Sequence, residues 1–300
     1  MHKENKGIIF GLLGVCGFGL TLPATRVVIP YIDPIFLGLG RAVLAALFAI
    51  ALLLWFRQKL PTLVQIKKLA IVALGVVVIF PVLSSWAMQY VPASHGGVVL
   101  GILPLATAVA GALIANERPS LPFWLVSIAG SSLVVLYALL QGSGSIHIAD
   151  LALLGAILAA AVAYAVGGKL SSELGGWQVI CWALALALPF IIVPAIYTAP
   201  ESLIDIPISG YLSFVYLALV SQLLAFFVWY KGLALGGIAR VSQTQLLQPF
   251  ITLLAAVFFL HETIDAQTLI FILLVVCSVW LGKKMPIKEK STEITEGNHT

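Results

Sequence analysis

The chain has 300 residues, 61% of them hydrophobic and only 9% charged. A soluble domain carries about a quarter charged residues, so composition excludes a water-soluble globule, and it excludes disordered, collagenous and coiled-coil chains as well. The net charge of +4 is read as a membrane-orientation signal, not as a nucleic-acid footprint.

A helix needs about 20 apolar residues to cross the hydrocarbon core. Taken in order, the chain offers ten such runs, at about 7–29, 34–56, 68–90, 93–115, 121–140, 150–170, 177–198, 208–230, 239–260 and 264–282. The breaks are short and polar or proline-bearing, such as Asp33-Pro34, Arg57-Gln58-Lys59 and Asn116-Glu117-Arg118-Pro119. The thinnest are Pro92 and Gly236-Gly237. Alternating ten-residue segments are absent, so the spans are predicted as helices and not barrel strands. The first run has a basic flank (Lys3, Lys6), but it is long and others follow, so it reads as a retained span and not a cleaved leader. The expected class is therefore all-α integral membrane.

With the N-terminus placed inside, 14 of the 16 Lys and Arg residues fall on the cytoplasmic side, leaving only Arg26 and Arg41. Both termini are then expected in the cytoplasm. The stretch from Lys283 onward is polar and is expected to be a mobile tail. Cys16, Cys181 and Cys277 lie far apart in apolar runs, which suggests neither a disulfide framework nor a metal site. No cofactor is expected.

An internal repeat follows from spacing. Pro104 precedes Glu117 by thirteen residues, and Pro249 precedes Glu262 by thirteen. A Trp lies shortly before each proline (Trp86, Trp229), and Arg26 near the end of span 1 echoes Lys169 near the end of span 6. The chain reads as five spans plus five, with boundaries at 1–145, 146–284 and a tail at 285–300. Because five is odd, the second half enters the membrane from the opposite side. That is an inverted repeat, an architecture that places the substrate at the midplane between the halves.

Span 1 and its exit, Asp33-Pro34 with Arg41 following, the passage from Trp86 to Ser94 and the doubled Pro…Glu segments together resemble the EamA family of the drug/metabolite transporter superfamily. The resemblance covers about residues 7–283. It implies a bacterial inner-membrane carrier of amino acids, other small metabolites or drugs, usually moving them outward. It also implies that spans 1, 3, 4, 6, 8 and 9 line a central cavity, with 5 and 10 peripheral. The last span departs from the pattern: Leu273 to Cys277 stand where a small, glycine-containing stretch is expected, whereas span 5 keeps Gly130.

Polar residues in lipid face the bundle or a cavity. Ser242, Gln245, Gln248 and Thr252 form one stripe of span 9, and Gln222, Phe226 and Trp229 one of span 8. Thr21, Trp86, Gln89, Tyr90, His95 and Tyr164 complete a candidate solute pocket. Amides would supply donors and acceptors, and aromatics the apolar walls. Interhelical glue is the plainer reading of the same residues. Pro23, Pro104 and Pro249 are candidate hinges. Gly7, Gly11, Gly14 and Gly17 form a close-packing stripe. Arg41, Glu117 and Glu262 are read as structural charges, with Arg41 paired to Asp33, to backbone carbonyls or to a substrate carboxylate. No Asp or Glu lies mid-span, which argues against a buried proton- or sodium-carrying carboxylate.

No nucleophile-base pair, metal set or P-loop is present in the sequence, so an enzyme or an ATP-driven pump is not expected. A quaternary-amine or uptake carrier of the same fold is the alternative, and a channel a weaker one. The expected partners are a small solute and the bilayer, with a homodimer left open and no nucleic acid.

Overall fold

In this computed structural model, residues 3–141, 148–202, 205–260 and 266–289 are described. Lipid offers backbone N–H and C=O groups no partner, so each apolar run closes its hydrogen bonds as a helix. The first rod is α1 (Lys3–Gly19) and α2 (Thr21–Val28), broken at Leu20. Pro23 causes the break. It has no N–H for the Gly19 carbonyl four residues back, and the Thr252 hydroxyl donates to that oxygen instead, at 2.6 Å. α3 (Pro34–Trp55) begins at an Asp33 cap, whose carboxylate accepts from the Ile35 and Phe36 N–H groups at 2.7 and 3.2 Å.

α4 (Leu63–Val72) starts at a Thr62–Gln65 capping box and runs through a π-helical segment, Ala73–Ile79, into α5 (Phe80–Ala87). α6 (Ala93–Val99) passes through a 3-10 turn, Leu100–Ile102, into α7 (Leu103–Ile114). β1 (Glu117–Pro119) and α8 (Leu121–Gln141) follow, then α9 (Ile148–Leu174) and α10 (Gly176–Tyr197). α11 (Ile208–Val215) again passes through a π-helical segment, Tyr216–Leu224, into α12 (Ala225–Gly236). α13 (Ile238–Ser242) passes through a 3-10 turn, Gln243–Leu247, into α14 (Gln248–Leu260), and α15 (Ala266–Lys284) and β2 (Ile287–Glu289) complete the chain.

Among the described residues, seven helical rods are long and apolar enough to cross a membrane: Lys3–Val28, Pro34–Trp55, Leu63–Ala87, His95–Ile114, Ile148–Leu174, Gly176–Tyr197 and Ile208–Gly236. Shorter apolar stretches lie at Leu121–Leu133 and Leu273–Gly282. The irregular turns repeat. A π segment interrupts both Leu63–Ala87 and Ile208–Gly236, and a 3-10 turn stands just before both Pro104 and Pro249. This matches the Pro104 and Pro249 part of the echo in the sequence.

Without a hydrophobic effect inside lipid, close backbone approach holds the helices together. α1 lies along α12 and α3 along α10. The glycine stripe of α1 is the seam with α12 and α13. A Cβ on Gly11 would stand 2.6 Å from Val241 Cγ1, and one on Gly232 would stand 2.8 Å from the Gly11 nitrogen. α8 packs on α15, with Gly130 seated against Ser278 and Leu246. The unusual Leu273–Cys277 stretch therefore does not prevent that contact. Ser278 supplies the small residue one position later.

Two expectations change here. The segment after Lys283 is not wholly a mobile tail. α15 runs to Lys284, and β2 pairs antiparallel with β1, Glu117 opposite Glu289 and Pro119 opposite Ile287. Span 1 is not one straight helix but two, for the reason given above. The weak break at Gly236-Gly237 is real: Gly237 sits at φ 84°, a conformation that favours glycine.

Candidate functional site

A cavity lies at the centre of the bundle. α1 and α2 contribute Phe18, Thr21 and Leu22; α3 contributes Arg41; the first π segment and α5 contribute Val76 and Phe80. Leu100 and Leu103 come from the 3-10 turn and the start of α7, Tyr164 from α9, Ser221 and Gln222 from the second π segment, Phe226 from α12 and Gln248 from α14. In this conformation the space is narrow, with room for about one water.

One wall is polar and largely self-satisfied. Thr21 and Ser221 share a hydrogen bond of 2.8 Å between their hydroxyls. The Gln222 amide donates to the Val76 carbonyl at 2.8 Å. A π segment shifts the carbonyl-to-N–H pairing by one residue, and this side chain from one π segment takes up a carbonyl of the other. Another part of the lining is aromatic. Phe18, Tyr164 and Phe226 form it with Trp229 packed behind them, in edge-to-face or tilted contacts with centroids between 4.9 and 6.1 Å apart.

Arg41 lines the same space. It is 1% exposed, and its Nε and Nη1 make no hydrogen bond among the described residues. The resemblance implies that span 2 stays off the cavity, and the structure differs. Arg41 is placed on the inner face of α3, where it lines the space. Among the described residues, neither its Nε nor its Nη1 donates to Asp33, whose carboxylate caps the start of α3, or to a backbone carbonyl.

Of the predicted pocket residues, Thr21, Tyr164, Gln222 and Gln248 line the cavity. Trp229 and Gln245 stand just behind it. Trp229 is fully buried against Phe18 and Tyr164, with its indole N–H unpartnered among the described residues. Gln245 is buried near Tyr164, and neither end of its amide closes a well-formed hydrogen bond. Trp86, Gln89, Tyr90 and His95 do not line this cavity. Trp86 packs against Tyr90 with tilted rings 4.8 Å apart at the end of α5, and Tyr90 is 53% exposed. His95 Nε2 lies 2.6 Å from the Asp150 carboxylate.

Pro23 stands at the α1/α2 break, and Pro104 and Pro249 just follow 3-10 turns. The Pro104 carbonyl accepts from Ser242 at 3.2 Å. Glu117 is buried and accepts from the Ile238 and Ala239 N–H groups. Glu262 lies outside the described residues. Sequence reasoning passed over Ser221, although the adjacent Ser221-Gln222 pair in an apolar run was a usable signal, and it gave no sign that Val76 or Leu100 would form wall.

The profile of the EamA-like transporter family matches twice, over residues 5–139 and 147–282. The chain belongs to the EamA-like transporter family. It resembles the uncharacterized transporter YdeK of Bacillus subtilis (strain 168), with 47% identity over 264 residues covering 88% of this chain and 92% of that protein. It also resembles a probable amino-acid metabolite efflux pump of Salmonella typhimurium, at 25% identity over 93% of this chain and 95% of the relative. One solved crystal structure superposes with a TM-score of 0.74 at 17% identity, covering 93% of this chain and 98% of the other, and that likeness concerns the fold alone. This EamA protein is a multi-pass membrane transporter carrying two copies of the family unit.

Proposed function

We propose that this EamA transporter is a secondary carrier that moves small metabolites, amino acids or related compounds, outward across the bacterial inner membrane by alternating access. The observation that carries the reading is the central cavity walled by both repeat copies, with Thr21, Arg41 and Val76 from the first facing Tyr164, Gln222 and Gln248 from the second. The name of the Salmonella relative supports amino-acid metabolites as the cargo class and export as the direction.

The same reading assigns ten crossings in two inverted five-helix halves, 1–145 and 146–284, with the termini and the tail at 285–300 in the cytoplasm. The side-chain pairings support this arrangement. Arg240 pairs with Glu4, Lys68 with Glu173, and Lys231 lies over the Phe10 ring, which gathers the chain's basic residues where the orientation rule assigns the cytoplasmic face. The repeated 3-10 turns before Pro104 and Pro249 are suited to hinge roles, because a tighter turn inside a helix often marks a bend point. The sequence has no nucleotide-binding loop, so the energy comes from a solute or ion gradient. Counterflow in proteoliposomes tests the reading. Saturable uptake of labelled amino acid driven by internal unlabelled amino acid is expected, and non-saturable flux would indicate a channel.

A further inference from the structure

Among the described residues, no carboxylate pairs with Arg41. It is 1% exposed, lines the cavity, and has no partner at Nε or Nη1 among the described residues. It is also the sole charged side chain among the described residues lining that space. The neighbouring polar groups do not serve it: the Thr21 and Ser221 hydroxyls bond to each other and the Gln222 amide N–H donates to the Val76 carbonyl, and among the described residues none of the acceptor oxygens nearby takes a hydrogen bond from Nε or Nη1. A guanidinium stays charged at neutral pH and presents five N–H donors in a planar fork. Burying such a group unpaired is costly, and an unpaired intramembrane charge that survives is a functional feature first.

We infer that Arg41 is the receptor for a carboxylate on the transported solute, so that the cavity takes small monocarboxylates, either anions or zwitterions. The inference deepens the carrier reading and rests on it. The fork geometry of arginine matches a carboxylate with two parallel hydrogen bonds. One guanidinium neutralises one negative charge, which suits a monocarboxylate better than a phosphate dianion. The Phe18, Phe80 and Phe226 rings supply an apolar wall for the rest of the molecule, and the Tyr164 hydroxyl and Gln248 carbonyl supply acceptors for an amine. A quaternary amine without an acid group would meet Arg41 as a like charge with no carboxylate to screen it. The cavity must widen to admit any such solute, and its narrowness favours a small one.

The test uses the purified full-length chain in detergent, with matched probes: L-leucine, L-methionine and butyrate, each beside its amide. A ligand that binds only the native state raises the melting temperature. At least one acid is expected to raise it by about 4 °C at a hundredfold excess over its Kd, with no rise from the matching amide. Arg41→Met is expected to melt at or above the wild-type temperature, because an unpaired buried charge has been removed, and to lose the acid response. Arg41→Lys keeps part of it. The inference is overturned if no acid outperforms its amide, if Arg41→Met still responds to acid, or if Arg41→Met melts well below wild type, which would make the guanidinium a structural charge. Counterflow of a neutral or cationic probe without preference for acids would leave the carrier reading standing and remove only the carboxylate one.

Discussion

The Glu117 carboxylate holds the start of α13 from a different repeat, with Oε1 2.6 Å from the Ile238 N–H and Oε2 2.7 Å from the Ala239 N–H. A helix begins with unpaired N–H groups, and Gly237, the residue before α13, has no side chain to cap them. Glu117 therefore caps a neighbouring helix across the boundary between the repeats. Removing the carboxylate with Glu117→Ala costs about 2 kcal/mol, since two charge-assisted bonds and a cap are lost together. Glu117→Gln, which keeps one acceptor, costs roughly half of that. Thermal unfolding checks both values. An unchanged melting temperature in Glu117→Ala would show that the two bonds do not hold this end.

The bond from Gln222 to the Val76 carbonyl links two π-helical segments that occupy matching places in the repeats. Gln222→Leu leaves the Val76 oxygen buried without that partner, and a loss of about 1–2 kcal/mol is expected. Transport falls as well, because the same side chain forms cavity wall. Unfolding and counterflow measured on one preparation separate the two effects. A variant with normal stability and normal flux would remove Gln222 from both roles.

Pro23 sets the break after α1 and frees the Gly19 carbonyl for Thr252. Pro23→Ala restores an N–H that competes for that oxygen. The expected outcome is a slightly more stable protein with a lower maximal transport rate, since the first rod straightens. Thr252→Val loses the single hydrogen bond, at about 1 kcal/mol. A faster Pro23→Ala carrier would contradict the hinge role.

The α1 seam tolerates little. Gly11→Leu drives a side chain into Val241 and Thr244, and overpacking of this kind costs about 1–3 kcal/mol or more. Gly97→Ala is the control, because a Cβ there meets Thr252 at an ordinary 3.7 Å. Expression level and melting temperature of the two variants should diverge. Equal behaviour would show that α1 and α12 are not held by close approach.

Much of this was legible in the sequence because lipid imposes a simple rule: apolar runs become helices, and prolines and glycines mark where they break. Pro23, Gly237 and the Pro104/Pro249 echo each correspond to an observed irregularity. The polar stripe of span 9 identified Gln248, and the span 8 stripe identified Gln222. The resemblance left Arg41 off the cavity, because the direction in which α3 turns its charge depends on its packing against α10 and on the second π segment, which no local pattern records. The β1–β2 pairing was equally hidden, since it joins residues some 170 positions apart that are linked only by the fold. The π segments leave no composition signal at all.

Alternating exposure of the shared cavity is the central claim, and thiol labelling tests it most directly. In a background with Cys16, Cys181 and Cys277 changed to Ser, a single cysteine at Thr21 in proteoliposomes of known orientation should react with an impermeant maleimide from either face, and saturating transported solute should protect it from both. A Thr21→Cys protein that reacts from one face only, with or without solute, would contradict the account.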